Sequence, residues 1–275
     1  MNVMKLKNII VAFGTVVLFL SCSTNPFTGK KTLALVPNSQ IFPTSFAQYD
    51  QFLNENKVVK GTAEANMVKN IGQKIAVAAE RWLNANGFQG YLEGYEWEYT
   101  LVDDKTVNAW CMPGGKIVVY TGIIPVAKTE AGLAAIMGHE VSHALANHGQ
   151  QRMSAGMVQQ LGAVAGNVAI KDPQTLNLFN QAYGVGTQVG VMLPFSRGHE
   201  SEADEIGLYL MAIAGYDPNE AAELWKRMSA QSGGQAPPEF LSTHPSNETR
   251  IKNIEALAPK AKAEAKKFGV TTFKI

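Results

Sequence analysis

Disulfides, a surplus of charge and a membrane-spanning run are all missing from this 275-residue sequence. Its two cysteines, Cys22 and Cys111, are too few for a disulfide scaffold. Lys and Arg number 24 against 23 Asp and Glu, so the basic stripe of a nucleic-acid binder is absent and nucleic acid is excluded as a partner. No apolar run reaches the roughly 18 residues that a spanning helix needs. Charged residues make up only 17% and apolar ones 46%, a balance that excludes intrinsic disorder. What remains is a chain able to bury one large core or two small ones.

The longest apolar run, Ile9 to Leu20, is 12 residues behind Lys5 and Lys7, the length and flank of a secretory signal. Ser21 and Cys22 follow. The segment resembles a bacterial lipoprotein signal, in which cleavage leaves an acylated cysteine at the new N-terminus; a plain signal peptide or an uncleaved anchor is the alternative. Residues 1–21 are therefore expected to be a lipoprotein signal peptide, with Cys22 as the lipidation site. The expected setting is the bacterial cell envelope, lipid-anchored to the outer membrane and facing the periplasm. Without residues 1–21 the balance is 22 basic to 23 acidic side chains, so the remainder is close to neutral.

Residues 22–39 are polar with Pro and Gly punctuation and read as a tether; residues 40–258 read as the folded domain. From Thr62 to Asn86, Met67, Ile71, Ile75, Ala78 and Trp82 recur at helical spacing, with Thr62 placed to cap and Gly87 just past the end. Tyr95, Trp97, Tyr99 and Leu101 alternate with Glu96, Glu98 and Thr100, the pattern of a strand with one buried face. A second strand, Lys116 to Thr121, follows Pro113-Gly114-Gly115. Beyond it the pattern turns helical near 130–148, 150–170, 174–192, 197–214, 218–231 and 247–258, with Asp217-Pro218-Asn219-Glu220 as a strong helix start. Small strands followed by many helices predict an α+β domain. Ser232 to Pro238 reads as a loop, and residues 259–275 as a Lys-rich, solvated C-terminal tail.

The chemistry sits in an amphipathic-looking run around His139-Glu140-Val141-Ser142-His143, an HExxH motif. On a helix, spacing i to i+4 puts both imidazoles on one face, one turn apart, where a single ion can take a nitrogen from each. Glu140, turned by about 100° from His139, can reach a water on that ion. A catalytic zinc needs a third protein ligand and leaves a fourth position for water. The metzincin pattern cannot supply it, since Ala146 and Gly149 stand where that motif needs Gly and His, and His148 is out of register. Ser196 to Asp204 offers a better source. Glu200 and Asp204 are four apart, with Ala203 and Gly207 beside them to allow close helix approach, while Glu202 and Glu205 point elsewhere. Glu200 is then the candidate ligand and Asp204 the partner that orients a ligating imidazole; favourable helix-dipole chemistry is the bland alternative for these acids.

With these residues in place, the sequence resembles the HtpX-like and CAAX prenyl protease-like zinc metallopeptidases of family M48, in their periplasmic lipoprotein branch. The resemblance implies a mostly helical zincin-type metallopeptidase domain with a small β-sheet, an HExxH active-site helix and one Zn2+ per chain. It supports Glu200 as third ligand through Ser196 to Asp204. It makes Asn108 and Ala109, ahead of Pro113-Gly114-Gly115, part of a substrate-side edge strand. It also matches Thr243-His244-Pro245, with Arg250-Ile251, to a late His-Pro segment. His244 is accordingly expected at the site, either stabilising the oxyanion or occupying the open zinc position, with a merely structural role as the alternative. His148 and His199 are expected to be supporting or surface groups, and Cys111 a small hydrophobe. The implied activity is zinc-dependent endoproteolysis of misfolded or stalled proteins, bound as unfolded or extended polypeptides. The rival is a zinc-stabilised, chaperone-like binding lipoprotein with latent or no proteolysis. The sequence leaves the oligomeric state open.

Overall fold

The computed structural model describes residues 22–188, 192–231, 239–245 and 248–275. The expected signal segment 1–21, the loop 232–238 and residue 247, where the last expected helix begins, lie outside the described residues. In chain order the elements are β1 (Cys22–Thr24), β2 (Lys31–Leu33), α1 (Asn38–Glu55), β3 (Val58–Val59), α2 (Ala63–Ala85), β4 (Glu98–Val102), β5 (Ala109–Met112) and β6 (Lys116–Tyr120). A 3-10 turn at Thr121–Ile123 leads into α3 (Ile124–Ala127), α4 (Glu130–Leu145), α5 (His148–Ala169), α6 (Pro173–Thr187), α7 (Leu193–Ile213), α8 (Asn219–Gln231), α9 (Glu239–Thr243) and α10 (Glu248–Lys267). The result is the α+β, mostly helical zincin-type domain with a small sheet. No helix among the described residues is long and apolar enough to cross a membrane.

The sheet runs β3-β4-β6-β5, with β4 and β6 parallel and the outer pairs antiparallel. Helix α2 packs on one face. Thr62 caps it by accepting from the Ala65 N–H at 3.1 Å, and Val68, Ile71, Ile75, Ala79 and Leu83 are sealed inside. Gly72 sits flat against the Tyr99 ring, where a Cβ would collide with it.

The strand expected to bury one face buries both at its end: Thr100, Leu101 and Val102 are all buried. Helix α1 is the reason, because it covers the opposite face. Tyr49 is completely buried against Val102 and Val118, and its hydroxyl shares a 2.6 Å hydrogen bond with Thr100. Pro43 inside that helix reads as a breaker in sequence.

The tether reading of residues 22–39 is corrected. Strands β1 and β2 form a hairpin, Phe27 stacks on Trp82 at 4.4 Å, and the Leu35 N–H donates to Ser154 Oγ at 3.0 Å. Side-chain hydrogen bonds and one ring stack hold this polar segment, and hydropathy patterning is blind to both. The solvated tail is corrected too. Helix α10 continues through Pro259 to Lys267 and buries Ala258, Ala261 and Ala265 completely. Residues Phe268, Val270 and Phe273 pack on the core, and Lys274 bridges to Tyr216. Small alanines make the buried face, so the lysines dominate the composition while pointing outward.

Helix α4 departs from the amphipathic reading: every residue from Ala131 to Leu145 is buried. Thr129 caps it through the Gly132 N–H at 2.9 Å. It crosses α7 at a pair of glycines. A Cβ on Gly138 would lie 3.0 Å from the Gly207 carbonyl oxygen, and one on Gly207 would lie 2.9 Å from the His139 nitrogen. That contact brings the carboxylates of α7 to the histidines of α4.

Candidate metal centre

Four side chains converge where α4, α7 and the end of α9 meet. His139, His143, Glu200 and His244 each offer one ligand atom, all within 4.8 Å of one another. His139 Nε2 lies 3.1 Å from both His143 Nε2 and His244 Nδ1. Glu200 Oε2 is 2.8 Å from His244 Nδ1 and 3.3 Å from His139 Nε2, and its Oε1 is 3.4 Å from His143 Nε2. Metal bonds of 2.0–2.1 Å in a tetrahedron imply donor separations of about 3.3 Å. The observed spacings fit that requirement.

Charge supports the same fit. Burial would drive His139 to lose its proton, yet hydrogen bonds to Asp204 and Glu200 overcome it and raise its pKa to about 9. Burial would raise the Glu200 carboxyl, but hydrogen bonds from His139 and His244 hold it well below the carboxylate range. His143 falls well below the imidazole range, by burial first and then by the neighbouring His139 charge. The pocket attracts one positive charge, and the donor set of two imidazoles, a carboxylate and a third imidazole is chemically suited to zinc.

Glu140 is buried, and burial raises its pKa against the pull of His244 and His139. Its Oε1 makes no hydrogen bond among the described residues, with His244 Nε2 3.4 Å away. Asp204 meets His139 Nδ1 at 3.0 Å, on the side of the ring away from the donor cluster.

Arg250 is legible in sequence only as part of the late segment that the resemblance matches, which assigns it no role. It clamps both Asp204 oxygens at 2.7 Å, lies 3.3 Å from Glu200 Oε2 and stacks over Trp225 at 3.7 Å. The resemblance places it in that segment, but its pairing with Asp204 needs the helices of the tertiary fold to meet. Glu202 and Glu205 do point away from the donors: Glu205 accepts from the Tyr209 hydroxyl at 2.9 Å, and Glu202 meets His148. His148 and His199 are both buried, with rings stacked 4.0 Å apart. Cys111 is half-buried on β5, and burial pushes its thiol pKa well up.

Asn108 and Ala109 stand at the start of β5, beside α4. The Asn108 carbonyl accepts from Tyr120 at 3.1 Å, and Ala109 pairs with Val119. Among the described residues, β5 pairs only with β6, so its outer edge faces no other strand.

Several known proteins are similar. The Schizosaccharomyces pombe protein "Mitochondrial metalloendopeptidase OMA1" is 40% identical over 171 residues, 62% of this chain and 49% of its own length. The human "Metalloendopeptidase OMA1, mitochondrial" is 29% identical over 252 residues, 88% of this chain and 47% of its own. The Escherichia coli "Beta-barrel assembly-enhancing protease" is 30% identical over 161 residues, 56% of this chain and 32% of its own. The chain thus spans about half the length of the OMA1 relatives it matches.

These matches correct the expected location. The relatives at 40%, 36% and 32% identity are mitochondrial by name, which overturns a lipid-anchored, periplasm-facing protein of the bacterial outer membrane. A basic-flanked apolar run ahead of Cys22 is too short a pattern to carry an address. The site residues and the fold around them are covered by a single match: residues 63–258 fit the sequence profile of Peptidase family M48. That span holds the histidine pair of α4, the carboxylates of α7 that meet it and His244, and the chain belongs to this family.

Proposed function

We propose that the protein is a zinc-dependent endopeptidase whose ion is held by His139, His143 and Glu200, with His244 closing the fourth position in the resting form. The observation that carries this reading is the buried Glu140 carboxylate, whose Oε1 makes no hydrogen bond among the described residues and which lies beside four converging donors. A zinc held only for structure has no use for such a group. When bound, zinc supplies Lewis acidity toward a carbonyl and makes water a nucleophile near pH 7.

Glu140 takes the water's proton and delivers it to the leaving amine, and its burial raises its proton affinity toward that task. His244 Nδ1 lies among the donors and its Nε2 faces Glu140, so its ring must move aside before water and substrate can enter together. Asp204, gripped by Arg250, fixes the His139 ring. An extended polypeptide can add to the outer edge of β5 at Asn108 and Ala109 by main-chain hydrogen bonds, with little sequence preference. Unfolded or flexible chains are the substrates this suits, and a role in protein quality control agrees with a relative named as an assembly-enhancing protease.

One observation favours a second reading. A complete set of four protein donors is the signature of a structural zinc, and a zinc-stabilised, chaperone-like binding protein would need nothing more. Zinc content and proteolysis of an unfolded protein such as casein separate the two, with wild type measured beside Glu140→Gln. The peptidase reading expects both proteins to hold zinc and the variant to lose about 10²- to 10⁴-fold in rate. Zinc-loaded wild type without proteolysis would establish the rival.

A further inference from the structure

We propose that His148 is a positioning residue for the metal site, forming with His143 and Glu202 a relay that ends on the N-terminal hairpin. The inference rests on the zinc reading and deepens it. Asn147 adopts a left-handed conformation, with φ 55°, and separates α4 from α5. Without that break, a residue five positions after His143 would sit about 140° around the helix from it. With it, His148 turns back under His143, fully buried, and its Nδ1 lies 2.8 Å from His143 Nδ1. On its other side, His148 Nε2 lies 2.9 Å from Glu202 Oε2. Glu202 Oε1 accepts from the Thr28 hydroxyl at 2.7 Å and pairs with Lys30 at 3.4 Å. The His199 ring is stacked on His148 with only 11° between planes, and Gln151 holds His199 Nε2 at 3.1 Å. The His148 ring therefore has little freedom to rotate.

One arrangement of protons satisfies all these contacts. The donor cluster takes His143 by Nε2, so a neutral His143 carries its proton on Nδ1. Two ring nitrogens 2.8 Å apart need one donor and one acceptor, so His148 Nδ1 accepts. The His148 proton then sits on Nε2 and faces Glu202, whose carboxylate can only accept. His139 reaches its carboxylate, Asp204, directly; His143 reaches Glu202 through an interposed imidazole. Facing the rear of the His143 ring, His148 is placed to orient a ligand and to enhance its basicity rather than to bind the ion. The hairpin that contributes Thr28 and Lys30 closes the far end of the relay.

The test uses the full chain and two substitutions, with zinc affinity read by competition with a chromophoric chelator and melting temperature read on metal-free protein. His148→Leu removes both contacts. His148→Gln keeps an acceptor for His143 and a donor for Glu202. The relay predicts that zinc binding weakens about 10- to 100-fold in His148→Leu and returns to within about threefold of wild type in His148→Gln. Wild-type affinity in His148→Leu would overturn the proposal, as would equal losses in both variants, which mark a structural role. His139→Ala serves as the reference. If wild type takes no zinc, or His139→Ala takes it as tightly as wild type, the zinc reading itself fails; if these two behave as expected and His148→Leu is unchanged, only the relay fails.

Discussion

A single methyl group at the crossing of α4 and α7 should disturb both stability and metal binding. In Gly207→Ala the new Cβ would lie 2.9 Å from the His139 nitrogen, 3.0 Å from the Gly138 carbonyl carbon and 3.1 Å from the His139 Cα. All three are backbone atoms, so no side chain can rotate away. Ordinary contacts fall at about 3.5–4.0 Å, and the helices must separate by roughly 0.5–1 Å. Overpacking of this kind costs about 1–3 kcal/mol, which for a chain of this size lowers the melting temperature by about 2–10 °C.

The same shift acts on the site. Glu200 and Asp204 ride on α7, while His139 and His143 ride on α4, and ligand distances tolerate only about 0.2 Å. Zinc affinity should therefore fall together with stability. Gly198→Ala is the control: it lies in the same helix with nothing within 4 Å of its Cβ position, so it should stabilise by about 0.5–1 kcal/mol through helix propensity. Differential scanning calorimetry of metal-free protein and chelator competition measure the two effects. A Gly207→Ala protein with wild-type melting temperature and zinc affinity would refute the close-crossing account.

Further outcomes follow from the site. Glu200→Ala should lose both zinc and activity, and Asp204→Ala should weaken zinc binding by about 10- to 100-fold; full zinc occupancy in Glu200→Ala with loss in Glu202→Ala would mean the wrong carboxylate is assigned. His244→Ala should keep zinc and raise casein hydrolysis, because its Nδ1 is among the donors; a loss of roughly 10²- to 10³-fold with zinc retained would make it the oxyanion donor instead. Burial would raise the Glu202 carboxyl from its usual 4.5, but hydrogen bonds from His148 and Thr28 bring it to about 2. Its stabilisation is full above pH 4.5 and is lost as pH falls toward 2. The melting temperature of metal-free wild type should accordingly fall more steeply across that window than that of Glu202→Gln, and parallel curves would show that the carboxylate is not held this way.

Local order is what the sequence by itself determined. The i to i+4 spacing of His139 and His143 needs only one helical turn to make a pair, and Glu200 with Asp204 needs only another. The α2 stripe, the strand at Lys116 and the α+β class were legible for the same reason, since short-range periodicity records which face is buried. Tertiary structure decided the rest. Helix α1 hid its role behind Pro43, and the burial of Thr100 depends on Tyr49, which lies 51 residues away. Helix α10 hid its buried face in alanines. Arg250 reaches Asp204 across 46 residues, and His148 reaches Glu202 across 54. No local pattern encodes such contacts, because each requires a helix crossing or a chain reversal to exist first. Asn147 supplies one reversal, the Gly138–Gly207 contact one crossing, and between them they turn five scattered histidines and four carboxylates into one site.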